Sequence, residues 1–104
     1  MRYKRYEILL PLRYNTGEQI ESEKFQIIHD ELMEKFGAIS KDFIEVSGYW
    51  YYQGTVYVDK LHRWRLDIRD TRKNHKFFKE FKNVLKERFE QEEIWITAIK
   101  IEVI

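Results

Sequence analysis

The sequence contains no cysteine, which excludes disulfides, thiol nucleophiles, iron–sulfur clusters and every thiolate zinc site. Its one proline is Pro11, and its four glycines each fall at a turn or on a strand. No glycine-rich loop is therefore available to cradle a pyrophosphate, and no Ser-His-Asp order or His-Glu-x-x-His motif is present. The three histidines, His29, His62 and His75, are not spaced as His-x-x-x-His or His-x-His. We expect neither a metal site nor a cofactor. No apolar run approaches the ~18 residues of a membrane helix. The opening MRYKRYEILLPL sets basic residues before an apolar stretch, but that stretch is too short for a signal h-region and lacks a small-residue cleavage site. A cytoplasmic protein with no membrane partner is the expectation.

What is present is a chain of 104 residues, 43% hydrophobic and 36% charged. It is long enough for one core, so residues 1–104 are read as a single domain. The net charge of +1 hides an uneven distribution. From Glu18 to Glu34 there are six acids and one base, and from Asp59 to Lys82 nine Lys or Arg residues and four acids. Such a domain is dipolar and not basic overall, which weighs against nucleic acid as a partner.

The periodicity changes along the chain. Tyr6 to Leu12 is a short apolar run followed by the turn cluster Asn15-Thr16-Gly17, so it predicts a first strand. Pro11 near its end cannot donate to a ladder and belongs at an edge or a bulge. From about Ser22 to Phe36 the residues Phe25, Ile28, Leu32 and Phe36 form a helical stripe, with Ser22 as its expected cap and Gly37 as its left-handed stop. His29 beside the stripe is read as a packed boundary residue.

Ile44, Val46, Gly48, Trp50 and Tyr52 alternate along one face of a second strand, with Phe43, Glu45, Ser47, Tyr49 and Tyr51 on the other. Gln53-Gly54 makes the turn. In the third strand Val56, Val58, His62, Trp64, Leu66 and Ile68 share a face, and Tyr57, Asp59, Leu61, Arg63, Arg65 and Asp67 oppose them. Asp59-Lys60 in mid-alternation suggests a bulge. Phe77, Phe78, Phe81, Leu85 and Phe89 then predict a second helix to about Glu90. Ile94 to Ile104 is a β-branched closing strand with Trp95, Thr97, Ile99, Ile101 and Val103 on one face.

The order β-α-β-β-α-β predicts an α+β ferredoxin-like sandwich. It has a four-stranded antiparallel sheet and two helices on one face, the face that includes Trp50 and Trp64. The other face has nothing to cover it. Tyr49, Tyr51, Tyr57 and Leu61 are assigned to that open face with Arg63 and Arg65, as a ligand or interface surface. It predicts a homodimer through the sheet. A binding or interaction protein follows, whose partner is a second copy, another protein or a small anionic ligand. The alternative is a dimeric α+β-barrel enzyme acting on a small anionic metabolite, with His62 as acid/base beside Asp59 and the arginines as anion clamps. Should nucleic acid or phosphate bind at all, it would meet Arg69, Arg72, Lys73, Lys76 and Lys79 at the start of the second helix.

The topology is that of the RNA-recognition motif, but the likeness stops there. Gly54-Thr55-Val56-Tyr57-Val58-Asp59 lacks that family's basic-Gly-aromatic octamer, and Ile8-Leu9-Leu10-Pro11-Leu12 offers no stacking ring. Five segments, Tyr6–Arg13 (YEILLPLR), Glu34–Ala38 (EKFGA), Gly48–Trp50 (GYW), Gly54–Asp59 (GTVYVD) and Lys86–Thr97 (KERFEQEEIWIT), resemble small uncharacterised bacterial proteins of the same β-α-β-β-α-β order. The resemblance implies the fold and carries no assigned activity.

Overall fold

The computed structural model describes residues 2–104. Seven elements follow one another: β1 (Tyr3–Pro11), α1 (Ser22–Phe36), β2 (Ser40–Lys41), β3 (Val46–Tyr52), β4 (Thr55–Arg69), α2 (Arg72–Arg88) and β5 (Trp95–Ile101). They form the expected α+β arrangement, with a sheet of five strands in place of four. The chain after α1 makes two separate contacts with β4, at Ser40–Lys41 and at Val46–Tyr52.

β4 is the spine. One edge pairs antiparallel with β1 from Arg69 to Leu61, and the other with β2 and then β3; β5 completes the sheet beyond β1. Pairing with β3 holds one register from Val46↔Leu61 to Tyr52↔Thr55, so Asp59-Lys60 is regular strand and not the expected bulge. The irregularity lies across from it. Between Lys41↔Trp64 and Val46↔Leu61 the β2–β3 side spends more residues than β4, and the excess carries Phe43 and Ile44 out into solvent.

Pro11 closes β1 beyond the last rung with β5, Leu9↔Trp95. On that side its missing N–H forfeits no ladder bond.

Alternation sends Tyr6, Ile8 and Leu10 of β1 and Trp64, Leu66 and Ile68 of β4 to one face. There they are buried with Ile28 and Leu32 of α1 and Phe78, Phe81 and Leu85 of α2. Aromatic rings fill the middle. Tyr6 stacks on Phe78 at 4.2 Å, Phe36 stacks on the same ring at 5.6 Å, and Phe25 meets Phe89 at 5.3 Å. Arg88 grips Glu31 with two hydrogen bonds of 2.8 and 2.7 Å, tying the helices together at the surface.

The helix ends follow their residues unequally. Gly37 stops α1 at φ 79°, its N–H donating to Met33 O, a conformation that favours glycine. Ser22 does not cap: it is the first helical residue, and the extended Glu21 before it makes no side-chain capping bond. α2 is capped by Thr71, whose hydroxyl accepts from Asn74 N–H at 3.1 Å. Thr71→Ala is expected to destabilise the domain by ~1 kcal/mol, read as a lowered urea midpoint at an unchanged slope.

Trp50 is not in the core. β3 and the first half of β4 extend past the helices as a two-stranded arm, where Trp50 stays 46% exposed while Trp64 is 4% exposed. The face assignment of β3 is also reversed. Gln53 and Gly54 are a two-residue turn with both φ positive (48° and 79°), so Tyr52 opposes Thr55 and Trp50 opposes Tyr57. Even-numbered residues of β3 therefore share a face with odd-numbered residues of β4. Tyr49 and Tyr51 lie on the same side as Val58 and Val56, away from Tyr57, Leu61, Arg63 and Arg65.

Candidate functional site

The sheet face opposite the helices has two halves. Toward the β4 C-terminus it is ionic. Arg5 holds Asp67 with bonds of 2.8 and 3.0 Å, and Asp42 accepts from Arg63 Nε at 2.7 Å and from Arg65 at 3.2 Å. These hydrogen bonds pull the Asp67 and Asp42 carboxyls below the usual carboxylate range. Asp42 follows β2, the strand absent from the expected four, so the pairing that occupies both candidate arginines was invisible without it.

The other half is apolar and aromatic. Trp50 stacks on Tyr57 at 5.4 Å with 17° between planes, and Leu61, Leu9 and Pro11 continue the surface to Trp95 of β5. These residues line a cleft of about 960 Å³, with Arg13, Tyr14 and the loop Gln91–Ile94 at its edge. Trp95, Ile99 and Ile101, expected together on one face of the last strand, are on this open side, and Ile96 turns to the core.

Asp59 stands in this cleft, opposite Gly48. Burial raises its carboxyl above the ordinary value, and no neighbouring cation offsets the rise. Its sign is opposite to that of Asp42 and Asp67. A raised native pKa adds stability only while the group is protonated, and that contribution is lost as pH climbs through the native value. At neutral pH the ionised Asp59 costs stability. Asp59→Asn is therefore expected to raise the melting temperature at pH 7. The advantage should vanish well below the ordinary aspartate pKa of about 3.9, where the group is protonated in both the folded and the unfolded state. Thermal melts of both proteins across this range check it.

His62 lies opposite Leu10 on the helix side of the sheet, half-buried, with no hydrogen bond to its ring among the described residues. With β4 unbroken, alternation points His62 and Asp59 to opposite faces, and the structure does not bring the candidate acid/base pair together. His29 is packed as expected. Its ring edge meets Trp64 at 6.4 Å, and Lys41 Nζ lies 2.7 Å from its Nδ1 and 4.1 Å above the Trp64 ring. Arg69 ends β4 on the open face, opposite Tyr3, while exposed Arg72, Lys73 and Lys76 start α2 on the other; Lys76 faces Glu80 at 3.9 Å. The proposed basic stripe is thus divided between two sides of the sheet. Among the described residues, no three His, Asp or Glu side chains converge on a point where a metal would sit. No helix there is long and apolar enough to cross a membrane.

A five-strand antiparallel sheet with two helices defines the ferredoxin-like α+β fold, in the form seen in the CutA proteins. The periplasmic divalent cation tolerance protein CutA from Archaeoglobus fulgidus matches with a TM-score of 0.64 at 16% identity, covering 97% of this chain and 85% of that one. CutA1 from Oryza sativa matches at 0.66 and 10% identity, over 99% and 83% of the two chains. A phage SAM lyase in complex with S-methyl-5'-thioadenosine matches at 0.64 and 11% identity, over 97% and 90%. No family model and no curated protein matches the sequence. At these identities the likeness is one of fold, and a fold of this kind hosts many activities.

Proposed function

We propose that the chain is a cytoplasmic binding protein that works as a homo-oligomer, at least a dimer, through the open side of its sheet and the β3–β4 arm. One observation carries this reading. The arm exposes large apolar side chains on both faces: Trp50, Tyr52 and Tyr57 on one, and Tyr49, Tyr51, Val56 and Val58 on the other. A two-stranded ribbon has no core of its own, and contiguous apolar surface of this extent marks interaction sites. The open face continues the same surface through Leu61 and Trp95, so a second copy laid on it would cover both.

The enzyme reading has less support. Arg63 and Arg65 are engaged by Asp42, and His62 faces away from the cleft. The metal chemistry in the name of the Archaeoglobus neighbour finds no ligand cluster among the described residues.

Sedimentation equilibrium at micromolar concentration is expected to give a mass of two or more chains. Tyr51→Asp combined with Tyr57→Asp, one change on each face of the arm, should shift it to monomer with an unchanged far-UV spectrum. A wild-type protein that sediments as a clean monomer rejects the oligomer.

A further inference from the structure

Gly48 makes room in the open face for the side chain of Leu61. Its neighbours on that side of β3, Val46 and Trp50, carry side chains and it has none, directly opposite Asp59. Its backbone is ordinary strand, outside the left-handed region, so the position needs space and not conformational freedom. A Cβ built there would sit 3.1 Å from Leu61 Cδ1, tighter than ordinary contact. Leu61 takes up that space, so Asp59 stands between Leu61 and Tyr57 on its own strand, Tyr57 stacks on Trp50, and Trp95 lines the far side of the same cleft.

Three acids, Asp59, Glu92 and Glu93, line this cleft with two bases, Arg13 and Lys60. Lys60 donates to the Ser47 hydroxyl at 2.7 Å on the opposite face of the arm, and Glu93 is held by Lys82 at 2.8 Å. That leaves the carboxylates of Asp59 and Glu92 against the exposed guanidinium of Arg13. Asp59 makes no ion pair or hydrogen bond through its side chain among the described residues, although it is the carboxyl that burial disfavours. A half-buried carboxylate without a partner is costly to keep. Set among aromatic faces, it is the arrangement that attracts a poorly hydrated organic cation, through the ring quadrupoles and the opposite charge together.

We propose that the Asp59 end of this cleft, a notch beside Tyr57, binds a small methylated onium cation, an ammonium or sulfonium head group, with its charge against Asp59 and its methyl groups against Tyr57 and Trp50. The proposal deepens the binding reading and rests on it, but not on the number of chains in the assembly. The carboxylate selects the charge, and the rings replace the water that an onium ion holds only loosely.

Isothermal titration with choline, with trimethylsulfonium and with the uncharged choline isostere 3,3-dimethyl-1-butanol tests it directly. At least one cation should bind, about tenfold or more tighter than the neutral alcohol, and comparison of choline with trimethylsulfonium tells which onium the notch prefers. Asp59→Asn should abolish the preference for charge while folding at least as well as the parent, so a lost signal there is not a lost fold. The neutral alcohol binding as well as the cations, or Asp59→Asn binding them unchanged, overturns the proposal, as does no heat from either cation. Sedimentation of the same samples keeps the outcomes apart: an oligomer that ignores both cations sinks this inference alone, and a monomer that binds them sinks the oligomer alone.

Discussion

Trp64→Ala is expected to destabilise the domain by roughly 3–5 kcal/mol, while Trp50→Ala changes the stability of the individual fold by only about 0.5 kcal/mol. The two residues are of one type in one hairpin, yet Trp64 is 4% exposed and Trp50 46%. Trp64 lies beneath α1, with Phe25 at 6.5 Å and His29 at 6.4 Å, and above it the Lys41 ammonium caps the ring at 4.1 Å. Removing the indole opens a cavity that three elements would have to collapse into. Against a total stability of ~5–15 kcal/mol, the loss lowers Tm by more than about 10 °C. With the arm as the proposed oligomer contact, Trp50→Ala is instead expected to make the melt less dependent on protein concentration. Urea and thermal unfolding of both variants at two concentrations separate the effects.

Phe78→Ala belongs to the same scale, ~3–5 kcal/mol. Its ring is the one that the most distant parts of the core share: it stacks on Tyr6 of β1 and Phe36 at the end of α1, and meets Phe77 edge-on at 5.2 Å. Aromatic pairs add to area burial, so the alanine loses several of them at once. Phe78→Leu, which keeps most of the volume, should recover part of the loss, and the deficit it retains relative to the wild type bounds what stacking contributes.

The helices were legible because their periodicity is carried by large residues at three- and four-residue steps, from Phe25 to Phe36 and from Phe77 to Phe89. Gly37 behaved as its type demands. The arm is less legible for a specific reason. Both strands alternate, and alternation alone groups their apolar-looking sets on a common face. A two-residue turn fixes the register so that Tyr52 meets Thr55, and parity changes across it. Counting through Gln53-Gly54 would have put Trp50 with Tyr57. β2 left a weaker trace. Two residues of Ser40–Lys41 carry no periodicity, and their place beside Arg65 and Trp64 is decided by the excursion at Asp42–Glu45, which only tertiary pairing reveals. The candidate site shares this history. Asp59 was singled out, but beside His62; that it stands in an aromatic cleft follows from the corrected register and from Trp95, whose strand reaches the site only across β1.

The inner strand of the sheet is made first and completed last. Tyr3 waits for Arg69 on one side and for Ile101 on the other, so no ladder closes around β1 until most of the chain has left the ribosome. Pairings this distant in sequence are slow to find. The arm is the opposite case, a hairpin with a two-residue turn that can form within microseconds. During synthesis, at about 5–20 residues per second, this apolar ribbon can thus form while β5 is still to be made, and for seconds its surface has no finished core beside it.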